Sequence, residues 1–349
     1  MRRIGFRIGT GLAIALSLAM TGCGGGSEDR PPSGPLAEAL AAVGGGGANG
    51  SLGIGWVEPR VARQSGAGAA LIADALGPNA GSVIEVAPIL RRRFGFDPLS
   101  AERLVSVGGS YAFGLQLDGV DGRRLRRALT RAGGRPRTSG QLELVNVGDW
   151  AVVPEPLLRA GVRGLGARDA FGRALTVLAI SARARAALLG RGGRLLDQPI
   201  YRAAADCLGD VVAARMIPDR LLLSTELGVD LVALGVDGRR EVLCVLGGTA
   251  ERAGEIAAAL ETSLASDARE PRTGESMADL VSAVDVSSAP YEGVEVVRAE
   301  LTLAAGQPPG FLFGAVSRGS LVELINGSGE PRSHLLGLFG YSGPRSPSQ

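Results

Sequence analysis

Three thiols, one imidazole and a large set of guanidinium groups are the side chains best suited to chemistry in this chain. Cys23, Cys207 and Cys244 are its cysteines, His334 is its single histidine, and every one of its 37 basic residues is arginine. Without lysine there is no Schiff base to a carbonyl or pyridoxal cofactor and no amine for a phosphate loop. One histidine excludes a zinc site built on two or three imidazoles of a single chain. His334 lies in a region rich in Pro, Ser and Gly, and no G-x-S-x-G elbow precedes it. A serine or cysteine nucleophile therefore lacks a base, and a polar surface role suits this histidine better. Carboxylates number 35, but aromatic residues make up only 4% of the chain, which leaves few rings for a cleft that stacks sugars. No cofactor and no metal are expected. Enzymatic activity is not expected either; a carboxylate-based hydrolase is the form it would take.

Two arginine clusters stand out, Arg91-Arg92-Arg93 and the group Arg123, Arg124, Arg126 and Arg127. Basic runs of this kind usually form a solvated helix face. Their functional counterpart is contact with an anionic surface, either lipid headgroups or wall polymers. Asp118 and Asp121 resemble a fragment of a calcium loop, but the alternating acids and terminal glutamate of the EF-hand pattern are missing, so they read as turn acids. Gly247-Gly248-Thr249 stands at a strand-to-helix junction and reads as a helix cap, the alternative being an anion-binding turn.

The N-terminus carries an address. Met1-Arg2-Arg3 supplies positive charge and Ile8 to Met20 an apolar stretch of about thirteen residues, short of the roughly 20 that cross a bilayer as a helix. Met20-Thr21-Gly22-Cys23 then ends the leader. This resembles the lipobox of bacterial lipoproteins, with Met20 where the family usually has Leu. The resemblance implies removal of residues 1–22 as a signal peptide and a diacylglyceryl group on the sulfur of Cys23, which becomes the new N-terminus. Arg2-Arg3 also invites a twin-arginine reading, but Gly5 stands where that motif wants an aromatic. Residues 23–35 form a lipidated tether, flexible at its glycines and stiffer at its prolines. With Arg2, Arg3 and Arg7 removed, 34 basic residues face 35 acidic ones, which takes away the drive for general nucleic-acid binding. Beyond an oxidising membrane face Cys207 and Cys244 are expected to form a disulfide, the alternative being two buried thiols acting as small hydrophobes.

The elements that would position these groups alternate along the body. Period-two patterns predict strands at 51–57, 111–117, 141–147, 174–180, 211–217, 221–226, 229–236, 241–246 and 294–303. Helices are predicted at 35–43, 67–76, 81–93, 122–132, 182–189, 199–208, 251–264 and 277–284, with a short helical turn from Asp97-Pro98 through Leu104. Asp237-Gly238 reads as a type I′ hairpin turn, Trp150 to Val153 as the hairpin mate of 141–147, and 311–316 with 320–325 as a further hairpin. The class is α+β, antiparallel strands with helices packed on one face. The sequence Gly119-Val120-Asp121-Gly122-Arg123-Arg124 recurs at Gly235 to Arg240, which either marks two similar halves or shared turn chemistry. The halves would be 36–190 and 191–344, breaking near Arg191-Gly192-Gly193, with 345–349 a frayed tail.

The expected function is that of a membrane-anchored extracytoplasmic lipoprotein, a non-catalytic binding or scaffold module of the cell envelope. Its partners would be the membrane, through the N-terminal lipid, and an envelope protein, polymer or small ligand, but no nucleic acid. Two alternatives are a solute-binding receptor of an importer, which calls for two lobes, and a lipid carrier, which calls for a curved sheet around an apolar cavity.

Overall fold

The computed structural model of the chain describes residues 33–45, 52–85, 87–108, 113–120, 123–131, 135–139, 142–146, 175–179, 182–222 and 227–327. Contacts divide the chain into two units, Met1–Arg30 and Pro31–Gln349, and the fold is that of the second.

Among the described residues, strand-forming runs assemble into one nine-stranded sheet. Its members are β1 (Gly53–Val57), β2 (Arg103–Gly108), β3 (Phe113–Asp118), β6 (Leu175–Ala179), β7 (Ala213–Pro218), β8 (Leu231–Asp237), β9 (Arg240–Leu246), β10 (Val281–Tyr291) and β11 (Val294–Leu303). A separate hairpin joins β4 (Arg135–Ser139) to β5 (Leu142–Asn146); Trp150 to Val153, read as the hairpin mate of 141–147, lies outside the described residues. The sheet order is β10-β11-β9-β8-β7-β1-β2-β3-β6, and every neighbouring pair is antiparallel. Outward from the central β1–β7 pair, β2-β3-β6 on one side mirrors β8-β9-β11 on the other, about the register pair Gly55–Arg215. The two copies of the repeated hexapeptide occupy different places in this pattern. One follows β3 towards a helix, and the other spans the β8–β9 turn.

Helices cover both faces. Against one lie α2 (Pro59–Gln64), α3 (Ala69–Leu76), α4 (Pro78–Glu85), α5 (Ala87–Phe94), α9 (Ala250–Ser263), α10 (Met277–Leu280), α11 (Phe311–Arg318) and α12 (Leu321–Asn326). Against the other lie α1 (Pro35–Ala42), α7 (Ala182–Leu188) and α8 (Pro199–Leu208). The helix α6 (Arg123–Arg131) packs beside α5. The α+β class holds, with a second covered face in place of the single one expected. The reason is visible in β8, whose residues Val232, Leu234 and Val236 enter one core while Leu231 and Ala233 enter the other. A strand buried on both sides needs apolar cover on both. Among the described residues, both cores are built from residues between Leu36 and Ile325, within the Pro31–Gln349 unit.

Three local differences have clear causes. The β8–β9 turn pairs Asp237 with Arg240, and Gly238 carries φ 59 while Arg239 has no positive φ, the pattern of a type II′ turn one residue further on than the type I′ reading. The helical turn expected from Asp97-Pro98 through Leu104 ends at Ser100, and Arg103–Gly108 forms the strand β2. The runs 311–316 and 320–325 are helices, because a short apolar run carries no period of its own and distant groups hold their ends.

Candidate functional site

The arginine runs meet in space. α6 has no acidic residue among its nine positions, and Arg124, Arg127 and Arg131 are exposed at i, i+3 and i+7, a single helical stripe. Arg126 is half-buried, and the side chain of Arg123 lies outside the described ones. The Arg124 side chain lies against Gly95, whose φ of 61 follows the end of α5. On that helix Arg92 is exposed and Arg91 sits 3.4 Å from Asp97 with 68% of its side chain in solvent. Two clusters that the sequence keeps some thirty positions apart are thus brought together on neighbouring helices.

Arg103 fixes where that face lies. It opens β2 and its Nη2 lies 2.7 Å from Oδ2 of Asp118, the last residue of β3, just before the turn into α6. Its Nη1 lies 4.0 Å from Glu38, in the first turn of α1. The start of α6 and the point where the chain enters the fold, Gly34-Pro35, therefore stand at the same end of the sheet. Asp118 is an ion-pair partner that also accepts a hydrogen bond from Gln116 Nε2 at 2.9 Å; Asp121 lies outside the described residues. Beside the entry point is an open cleft of about 210 Å³ bordered by Pro35, Glu58, Asp210 and Asp237. Burial raises the Glu58 carboxyl above its ordinary range, with Arg103 opposing the shift and Glu38 adding to it.

The buried polar groups hold backbone. Glu241, fully buried on β9, accepts N–H groups of Gly310 at 2.5 Å, Phe311 at 2.9 Å and Leu312 at 2.7 Å, and so closes the N-terminus of α11. Glu270, also buried, accepts the Ser320 hydroxyl at 2.5 Å, the N–H groups of Arg272 at 2.7 Å and Thr273 at 2.5 Å, and the Arg318 guanidinium at 3.3 Å. At the end of α3, Ser106 Oγ donates to the Leu76 carbonyl at 2.7 Å and Arg215 Nη1 to that of Asp74 at 3.1 Å. Burial lowers the Arg215 guanidinium to about 10, with Asp74 opposing. Burial also raises the Asp74 carboxyl, against a 3.0 Å hydrogen bond from Ser317. Sequence patterning did not mark Glu241, Glu270 or Arg215. An acid or arginine inside a run that otherwise reads as a buried strand was the available cue at Glu241 and Arg215.

Cys207 on α8 and Cys244 on β9 form a disulfide with their Cα atoms 6.3 Å apart. Thr249 caps α9, its Oγ1 accepting the Arg252 N–H at 3.2 Å, as the reading of Gly247-Gly248-Thr249 as a cap expected. Cys23 and His334 lie outside the described residues. Among the described residues no helix is long and apolar enough to cross a membrane. Compared with known proteins, the chain matches no family model, no curated protein and no solved structure.

Proposed function

We propose that this chain is a lipid-anchored protein of the bacterial cell envelope, held at the outer face of the membrane through Cys23, whose body serves as a non-catalytic binding or scaffold module. The observation that carries this reading is the Cys207–Cys244 disulfide, because such bonds persist in oxidising compartments and are rare in a reducing cytosol. It agrees with the basic, apolar and small-residue order of the leader that ends at Cys23. A diacylglyceryl group alone provides two acyl chains, enough for stable anchoring at about 0.8 kcal/mol per buried methylene.

The fold supports a module over the two alternatives. Among the described residues one continuous sheet runs where a solute receptor has two lobes, and helices pack on both of its faces where a lipid carrier keeps a cavity. The most buried acids, Glu241 and Glu270, spend their oxygens on backbone and side-chain donors and serve as struts of the fold.

Globomycin, which blocks the lipoprotein signal peptidase, tests the anchor. Treated cells should accumulate a precursor that retains residues 1–22, and the mature protein should carry lipid at Cys23. Unchanged processing, or an unmodified Cys23 thiol in the natural product, would remove the assignment. Native mass spectrometry of the delipidated body, searched for a co-purifying ligand, tests the binding role.

A further inference from the structure

Resting on the lipid-anchored reading, we propose that the arginine face built by α5 and α6 docks on the anionic phospholipid headgroups of the bilayer that holds the anchor. The first support is charge. Arg124, Arg127 and Arg131 form one exposed stripe on a helix without acids, and Arg92 is exposed on the neighbouring helix, where Arg91 is paired with Asp97. The mature chain as a whole is close to neutral, 34 basic residues against 35 acidic, so this face is a local concentration and not a sample of a basic protein. Guanidinium groups match phosphate oxygens with paired donors, which suits a phosphodiester surface.

The second support is placement. Eleven residues lead from Cys23 to Gly34, and a chain of that length spans at most about 40 Å even when fully extended. The point where it enters the fold lies at the same end of the sheet as the start of α6, tied together by Arg103 between Glu38 and Asp118. A face at that end is held at high effective concentration over the headgroups of the anchoring bilayer. Each basic group near an anionic membrane adds attraction that salt screens over about 10 Å at 0.1 M.

The test uses residues 31–349, the unit that contains both cores, so that no anchor contributes. Sedimentation with vesicles of 30% phosphatidylglycerol in phosphatidylcholine should pull down this body, and pure phosphatidylcholine should not. R124E/R127E/R131E should weaken binding by about tenfold or more, the corresponding glutamine triple variant by less, and 0.5 M salt should abolish it. R191E, in the loop after α7 on the opposite face of the sheet, should bind as the parent does; far-ultraviolet circular dichroism reports that each variant is folded. Absence of binding to anionic vesicles, binding unaffected by the charge reversals, or binding to isolated anionic wall polymer alone would overturn the proposal. Because the tested body lacks Cys23, such a failure leaves the anchor assignment standing, and a failed precursor test leaves the vesicle result standing.

Discussion

The Glu241 carboxylate on β9 and the backbone N–H of Leu312 meet at 2.7 Å across 71 residues of sequence, and this contact turns an ambiguous apolar run into a helix. Gly310 and Phe311 donate to the same carboxylate, so three of the four N–H groups that a helix start leaves unpaired are satisfied by one distant side chain. The negative charge also sits at the positive end of the helix dipole.

Removing the clasp should cost much of the stability of the body. E241A is expected to lose about 3–5 kcal/mol, since it strips buried donors of a charged partner. Burial raises the Glu241 carboxyl above its ordinary value of 4.5, against the pull of the three N–H groups. The folded state then binds this proton more tightly than the unfolded chain, so the contribution of Glu241 to stability declines as pH rises from 4.5 through the raised folded value and is flat above it. Urea melts of wild type and E241Q should show a difference that is larger at the acid end and narrows toward neutrality.

Glu270 should behave with the opposite slope. Burial alone would raise its carboxyl, but donors from Ser320, Thr273 and Arg272 and the charge of Arg318 outweigh that and leave it below its ordinary value of 4.5. Its contribution is fully present above 4.5 and is lost as pH falls through the lowered folded value. Comparison of wild type with E270Q should therefore show a gap that widens as pH rises from the lowered folded value to 4.5 and stays constant above it. Paired melts across pH 3–7 on both variants separate the two glutamates.

Reduction of the Cys207–Cys244 bond should destabilise the protein by about 4 kcal/mol, the chain-entropy value for a loop of this size, whose ends are 37 residues apart. Melting of the C207A/C244A variant against the oxidised parent gives the number. Mass spectrometry before and after reduction and alkylation confirms the bond.

Two glycine-to-alanine changes should move stability in opposite directions. At Gly55 a Cβ would stand 2.5 Å from the Ala75 carbonyl oxygen and 2.6 Å from the Leu76 Cα, so α3 can seat on β1 only where there is no side chain. G55A is expected to cost about 2 kcal/mol or more through overpacking. Gly254 lies inside α9 with open space where a Cβ would stand, and G254A should add about 0.5–1 kcal/mol by helix propensity. Denaturant midpoints of the two variants decide both.

Much of this architecture could be read from local chemistry. Alternation at 229–236 and 241–246, the Thr249 cap and the Gly-terminated helix at 199–208 all appear close to their expected bounds. Those features depend on neighbours a few positions away, which a sequence displays directly. The run at 311–316 and the strand at 103–108 did not follow local chemistry, because their state depends on Glu241 for one and on pairing with β1 and β3 for the other.

The sequence by itself determined the arginine-only chemistry, the basic, apolar and small-residue order of residues 1–23, and the antiparallel α+β class. The Cys207–Cys244 bond, expected from the compartment, is formed in the fold; tertiary structure alone decided that the two arginine runs lie on neighbouring helices and that both sheet faces are covered. The physical reason is range. Turn geometry and side-chain period act over a few residues along the chain, whereas bonds and shared faces are set by which surfaces the burial of β8 forces together.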